Sequence, residues 1–354
     1  MKKLGIVLLA VFVLTSFACR RTVETFEIAL ITDAGNINDR GFNQGSWEGL
    51  LQFAAANNIT HRYFAPPEQS DRAFFNTIAL AVTGGARIIV TPGFLFSAAV
   101  FEAQELFPDI HFILVDAQPR VNGVTRVAPN TVALMYAEDQ AGFLAGYAAV
   151  RDGFRNLGFI GGMAVPSVVR FGYGFIQGAE FAAQELGLPS GSITINYTYT
   201  GNFIATPETQ TLAASWFNAG IEVIFACGGT LGNSVMAAAE QTGGAVIGVD
   251  IDQSDLSPTV ITSAIKSLQF SVYSSIAAFY HGEFPGGQTR IFEAYNFGVG
   301  LPMETSRFRT FNQGDYDLIF SRLASGEIPR MVDLAEGGDP GAVPVVVSRV
   351  VFIR

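Results

Sequence analysis

The sequence predicts an α/β protein built from two parallel-sheet units, and three observations carry that expectation. Apolar strand-like runs alternate with amphipathic or alanine-rich runs of helical length, the pattern of parallel strands joined by crossover helices. The chain has 354 residues, of which 49% are hydrophobic and 15% charged, enough to fill two cores. The predicted strand ends repeatedly carry Gly, Asp, Thr or Asn, which is how several strands share a ligand cleft.

The expected strands are Phe26–Thr32, Arg87–Thr91, His111–Asp116, Leu157–Gly161, Ile193–Thr198, Val223–Ala226, Ala245–Asp250 and Val260–Ala264. Between them fall expected helices at Phe42–Asn57, Ala73–Thr83, Ala98–Leu106, Asp139–Val150, Gly174–Leu186, Thr209–Asn218, Ser234–Thr242 and Leu268–Tyr280. A late strand is expected within Val343–Phe352, after the turn Gly337-Gly338-Asp339-Pro340-Gly341. Eight or more parallel strands make one open sheet large, so two sheets are expected. Arg120–Asn130 is placed just before a crossing between them, and no Ser- or Pro-rich linker intervenes.

The first strand spills into a polar loop, Asp33 to Asn43, that holds Asp33, Asn36, Asn38, Asp39, Phe42 and Asn43. In open α/β sheets ligands sit outside the carboxyl ends of strands. Many donors and acceptors beside one aromatic ring suit a small polar ring compound better than a phosphate.

Met1 to Ala18 read as a secretory signal peptide. Lys2 and Lys3 start it, the apolar run Leu4 to Leu14 follows, and Ser16-Phe17-Ala18 leads into Cys19. A cysteine directly after a small residue resembles a bacterial lipoprotein cleavage site, although Ser16 stands where leucine is usual. With Cys19 lipidated, Cys227 is left without a partner and no disulfide is expected. It sits in the apolar run Val223 to Cys227, as a buried small hydrophobe would.

The formal net charge is −10; without Lys2 and Lys3, 19 basic residues face 31 acidic ones, about −12. No basic patch favours nucleic acid or an anionic membrane surface. Enzyme motifs are sparse. There is no G-x-x-x-x-G-K phosphate loop and no G-x-S-x-G nucleophile elbow, and His61, His111 and His281 are far apart. Gly172-x-Gly174-x-x-x-Gly178 lies too far past its strand to cradle a dinucleotide, so close helix packing is the expected use. Asp250 and Asp252 need not converge on a metal; no metal and no cofactor are expected. Lysine occurs at Lys2, Lys3 and Lys266 alone, against 18 arginines. An arginine-biased composition explains the scarcity but not why position 266 kept lysine.

The segment Asp33–Gly49 resembles the D-x-G-x-x-x-D-x-x-F-N-x-x-x-W-x-G segment of the basic membrane protein family, the substrate-binding lipoproteins of bacterial ABC importers. The resemblance continues through Phe112–Ala117, Gly142–Gly146, Gly158–Met163, Ile247–Gln253, Thr262-Ser263-x-x-Lys266 and Phe284–Gln288. It implies a two-lobed type I periplasmic-binding-protein fold, each lobe a mainly parallel sheet flanked by helices, with the ligand clamped between. The implied organisation is 1–18 signal peptide, 19–25 lipidated tether, 26–137 plus 265–290 lobe 1, and 138–264 plus 291–354 lobe 2.

What the resemblance implies about the site is equally specific. Phe42 and Phe203 match two phenylalanines that sandwich a purine base, with stacking of ~1–3 kcal/mol per base. Asp116 matches an aspartate facing the base, Asp250 one that receives ribose hydroxyls, and Lys266 a lysine that donates to the sugar. The planar guanidinium of arginine would replace that lysine poorly. Gly229 and Thr230 match a glycine-rich loop near the sugar, and Asn43 is placed to supply an amide. Asp33, Asn38, Asp39, Gly93 and Phe94 complete the expected contacts, with the two loop aspartates also able to hold backbone N–H groups. The sequence departs from the family after Phe203, at Ile204-Ala205-Thr206-Pro207, and at residues 228–233 (G-G-T-L-G-N). The implied protein is a monomeric, non-enzymatic carrier of guanosine, inosine or adenosine. It is lipid-anchored in the cell envelope and serves importer permease subunits. Another ring ligand such as riboflavin, a ligand sensor and, more distantly, a nucleoside or sugar hydrolase are the alternatives.

Overall fold

The computed structural model describes residues 25–33, 35–329 and 338–354. The expected signal peptide, Cys19 and the tether up to residue 24 lie outside the described residues. The chain runs β1 (Ile28–Ile31), α1 (Phe42–Asn57), β2 (His61–Phe64), α2 (Asp71–Thr83), β3 (Ile88–Pro92), α3 (Ser97–Leu106), β4 (His111–Val115), the short ribbon β5 (Arg120–Val121) and β6 (Val124–Thr125), and β7 (Thr131–Tyr136). It then crosses to a second lobe with α4 (Glu138–Arg151), β8 (Asn156–Gly161), α5 (Pro166–Glu185), β9 (Ile193–Tyr199), α6 (Pro207–Asn218), β10 (Val223–Cys227), α7 (Leu231–Thr242), β11 (Ala245–Asp250) and β12 (Val260–Lys266). It returns through α8 (Leu268–Tyr280) and β13 (Gln288–Phe292), and ends with β14 (Val299–Gly300), α9 (Gln313–Ala324) and β15 (Ser348–Phe352).

The first sheet has the order β13-β7-β4-β3-β1-β2 and is parallel throughout. The second has the order β14-β12-β11-β10-β8-β9-β15, parallel except for the edge strand β14. Side chains alternate across each sheet with period two. Ile28, Leu30, Val90 and Ile113 meet Leu50 and Phe53 of α1 and Val272 and Ile276 of α8. Ala29, Ile31, Ile89 and Phe112 meet Phe74 and Ile78 of α2 and Val100 of α3 on the other face. In the second lobe Phe159, Ile195 and Phe225 pack on α4 and α5, while Ile160, Ile224 and Val246 pack on α6 and α7.

Local signals set several ends. Ser70 Oγ accepts from the Ala73 N–H at the start of α2, Thr206 does the same for Thr209 at α6, and Asn58 (φ 54°) and Gly243 (φ 79°) close α1 and α7 in the left-handed region. The expected strands and helices are present, with two corrections. Helix α5 starts at Pro166, eight residues before the expected Gly174, because a proline at its first turn needs no hydrogen bond there. The Arg120–Asn130 region is a two-stranded ribbon, and the crossing follows β7, at Ala137. Among the described residues no helix is long and apolar enough to cross a membrane.

Candidate functional site

The carboxyl ends of both sheets face one cleft. β1, β3 and β4 deliver Asp33, Gly93 and Asp116 from one lobe; β10, β11 and β12 deliver Gly228, Asp250 and Lys266 from the other. The cavity between them contains about 680 Å³ of space between atoms, its mouth included. Asp116 (φ 62°) and Asp250 (φ 69°) both occupy the left-handed region directly at their strand ends. Non-glycine residues hold that conformation at a cost, and it recurs where a side chain is aimed at a ligand.

The polar loop before α1 is organised by its carboxylates. Asp39, buried, accepts the backbone N–H groups of Gly41, Asn43 and Gln44 at 2.9–3.0 Å, which satisfies the orphan donors that begin a helix. Asp33 Oδ1 accepts from the Gly35 N–H, and both aspartates accept from Asn43 Nδ2, at 2.9 and 3.0 Å. Burial raises the Asp33 carboxyl despite those hydrogen bonds. With its N–H groups held by carboxylates, Asn43 keeps only Oδ1, buried and without a donor. Of the amide expected from the sequence, the acceptor is left unpartnered while the N–H groups serve the loop.

Lys266 sits at the centre of a buried charge cluster. Its side chain is 2% exposed. Nζ donates to Asp116 Oδ2 at 2.6 Å, lies 3.0 Å from Asp250 Oδ1 and 3.9 Å from Glu138 Oε1. Glu138, fully buried, accepts from Arg170 Nε at 2.6 Å. Burial disfavours the ammonium, but the carboxylates of Asp116, Asp250 and Glu138 outweigh it and raise the lysine further. Burial also opposes the Glu138 charge, yet Arg170 and Lys266 hold that carboxyl below its ordinary value. Burial raises Asp250, the pull of Lys266 notwithstanding.

Aromatic rings enclose this cluster. The Lys266 ammonium lies 4.7 Å from the ring centre of Phe42, 5.3 Å from Tyr136 and 5.4 Å from Phe171, close enough for cation–π attraction. Phe203 enters the same cavity from the other lobe, seated against glycines. A Cβ on Gly162 would stand 2.3 Å from its ring, and one on Gly228 2.9 Å. Gly229 (φ 50°) passes beside the Phe203 backbone in the same way.

A family model described as ABC transporter substrate-binding protein PnrA-like matches residues 26–320. The chain belongs to this family. It is 29% identical over 301 residues to the ABC transporter nucleoside-binding protein BmpA of Lactococcus lactis, covering 78% of this chain and 82% of that protein. To basic membrane protein D of Borreliella burgdorferi it is 27% identical over 283 residues, covering 78% and 79%. A solved ABC transporter solute-binding protein from Aeropyrum pernix shares the fold, with TM-score 0.74 and 22% identity over 87% of this chain and 94% of that one.

In this PnrA-like chain the cavity is lined by Asp33, Asp39, Phe42, Asn43, Gly93, Phe94, Asp116, Phe203, Gly229, Asp250 and Lys266, all named from the sequence. Two expected residues stand elsewhere. Asn38 is exposed in the loop, its N–H bonded to Asn36. Thr230 spends its hydroxyl on the Ala205 N–H and the Phe203 carbonyl, positioning that phenylalanine's loop. Sequence reasoning missed Met163 and Val165 in the loop before α5, Val168 and Phe171 at its start, and Cys227 and Val249 at strand ends, all lining the cavity. It also missed Glu138 and Arg170 behind Lys266. The signal for the pair was an arginine inside the apolar run Val168-Val169-Arg170-Phe171, which needs a buried partner. Asp252 is turned to Thr305 and the Ser254 N–H and does not join Asp250. Among the described residues no cluster of three or more His, Cys, Asp or Glu is placed to hold a metal ion.

Proposed function

We propose that this protein captures purine nucleosides, guanosine, inosine or adenosine, and hands them to the permease subunits of an ABC importer. One observation carries the reading: Phe42 and Phe203, from opposite lobes, line a single cavity together with Asp116, Asp250, Asn43 and Lys266. Two aromatic faces suit a flat base. Carboxylates with unpartnered oxygens suit N–H and hydroxyl donors, and on this reading Asp250 receives the vicinal ribose hydroxyls. No bond is broken in this function. The protein works as a monomer without a cofactor, tethered by lipid on Cys19 and facing the periplasm or cell exterior. Its acidic surface serves no nucleic acid. The two lobes close around the ligand, with the expected bounds (26–137 plus 265–290, and 138–264 plus 291–354) shifted by two residues, since β12 carries Ile265 and Lys266 in the second sheet and β13 carries Ile291 and Phe292 in the first.

Calorimetric titration with the three nucleosides tests the proposal. Phe42→Ala and Asp250→Ala should each weaken affinity at least about tenfold, the loss of one stacking face or one charged hydrogen-bond pair. Unchanged affinity in both variants would overturn the site assignment. A bound mass other than a nucleoside, in native mass spectrometry of freshly purified protein, would overturn the ligand.

A further inference from the structure

Lys266 occupies one oxygen of Asp116 and leaves the other. Nζ donates to Oδ2 at 2.6 Å, while Oδ1 is buried and has no hydrogen-bond donor. Ionisable groups reach this carboxyl from every neighbouring element. Lys266 comes from β12, Asp250 from β11, Glu138 from α4 and Arg170, behind Glu138, from α5. Asp33 and Asp39 line the same cavity from the loop after β1, and Tyr136 on β7 has its hydroxyl tied to Ser271. Cys227, at the end of β10, has its thiol pushed well up by burial and stays neutral.

In the innermost cluster three carboxylates, Asp116, Asp250 and Glu138, face two cations, Lys266 and Arg170. Fully ionised, it carries one negative charge in excess, and a buried excess charge is relieved by binding a proton. Glu138 is held ionised by its two cations. Asp250 keeps Oδ1 beside the ammonium. A proton on Asp116 Oδ1 displaces no existing hydrogen bond.

The same carboxyl lines the cavity together with Phe42, Phe171 and Phe203. The ammonium bonded to it is 4.7 Å from the Phe42 ring centre and 5.4 Å from that of Phe171. On the nucleoside reading, a base stacked between Phe42 and Phe203, which line the same cavity, would present its edge to Asp116.

We propose that the proton on Asp116 selects which edge of a ring ligand the cleft accepts: ionised, Asp116 takes an N–H donor edge, and protonated, it donates to a bare ring nitrogen. This rests on the nucleoside reading above. Burial, opposed by Lys266, raises the Asp116 carboxyl to about 7, so both forms are populated near neutral pH. Inosine presents N1–H. Purine riboside presents a bare N1 and has no exocyclic amine to confuse the comparison. A ligand that binds only one form has its affinity scaled by the fraction of that form. Inosine affinity therefore falls as pH drops below about 7, and purine riboside affinity falls as pH rises above it.

Calorimetric titration of the full chain with both nucleosides between pH 6 and 8 tests this. Inosine should gain about tenfold in affinity across that range and purine riboside should lose about tenfold. At pH 7, titration in two buffers of different ionisation heat should show proton release with inosine and proton uptake with purine riboside. Asp116→Asn should flatten both profiles; if that variant does not fold, the wild-type proton counts decide alone. Parallel pH profiles for the two ligands, or no proton exchange with either, would overturn this inference and leave the nucleoside reading standing. Failure of both nucleosides to bind at every pH would overturn the two together.

Discussion

Lys266 shows how much a single side chain can be asked to do. It compensates Asp116 and Asp250, lies against three aromatic rings and is almost wholly buried. Removing one member of a buried ion cluster leaves its partners charged and unpaired, at about 3–5 kcal/mol. Lys266→Met should lose that much in urea unfolding at pH 7.5. The deficit should shrink at pH 5.5, because the freed carboxyls titrate upward and a proton then does what the ammonium did. A variant within about 1 kcal/mol of wild type at pH 7.5 would show that the cluster is not charged as described. The residue was legible in the sequence as the one lysine beyond Lys2 and Lys3 in an arginine-rich chain. Its supporting pair was not. Glu138 opens a helix, where a glutamate is ordinary, and only tertiary packing brings Arg170 from α5 to it. Asn43 is a further case, since its position is readable from the motif, but which of its amide atoms stays unpartnered depends on two aspartates that fold back on it.

At the scale of elements, α4 and α5 touch backbone to backbone. A Cβ on Gly142 or Gly146 of α4 would stand 2.1 Å from the carbonyl oxygens of Phe171 or Phe175 of α5. On Gly174 and Gly178 it would meet those of Asp139 and Phe143 at 2.0 and 1.9 Å. Four glycines at matched spacing let the helices approach closely, so that α5 can present Phe171 to the cleft and Arg170 to Glu138. Gly178→Ala must part the helices, and overpacking of this kind costs about 1–3 kcal/mol. Gly232→Ala on α7 is the control, because its Cβ would meet only ordinary contacts at 3.7 Å or more. There the better helix propensity of alanine should leave stability equal or higher. Equal thermal midpoints for wild type and Gly178→Ala would contradict the close packing. The glycine spacing was readable as packing, yet other elements were not readable at all. β2 (His61–Phe64) is an exposed edge strand with no alternating apolar face. β7 (Thr131–Tyr136) runs into α4 through Ala137 alone, so the helix expected at Asp139–Val150 was read and the strand directly before it was not. The start of α5 was lost in the same way, and Phe171 with it.

At the scale of the whole molecule, the two lobes meet across the cleft through few polar contacts, and these bear on closure. Gln253, on the loop after β11, donates from Nε2 to the Arg40 carbonyl of the other lobe at 2.7 Å. Its Oε1 accepts the Val249 N–H, and its own N–H is held by Ser263. The side chain is thus fixed from its own lobe and reaches across to the start of α1, beside Phe42. Arg40 is itself in the left-handed region (φ 57°), which turns its carbonyl toward this donor. A contact made only between closed lobes stabilises that state alone, and a ligand clamped by both lobes shares in any loss. A hydrogen bond of this kind contributes about 0.5–1.5 kcal/mol, so Gln253→Ala should weaken ligand binding about twofold to tenfold without touching the ligand. Small-angle scattering should show the ligand-free variant with a larger radius of gyration than wild type, and saturating ligand should bring the two together. If scattering and affinity both match wild type, the Gln253–Arg40 contact does not hold the lobes, and closure must rest on the Lys266–Asp116 pair and the ligand itself.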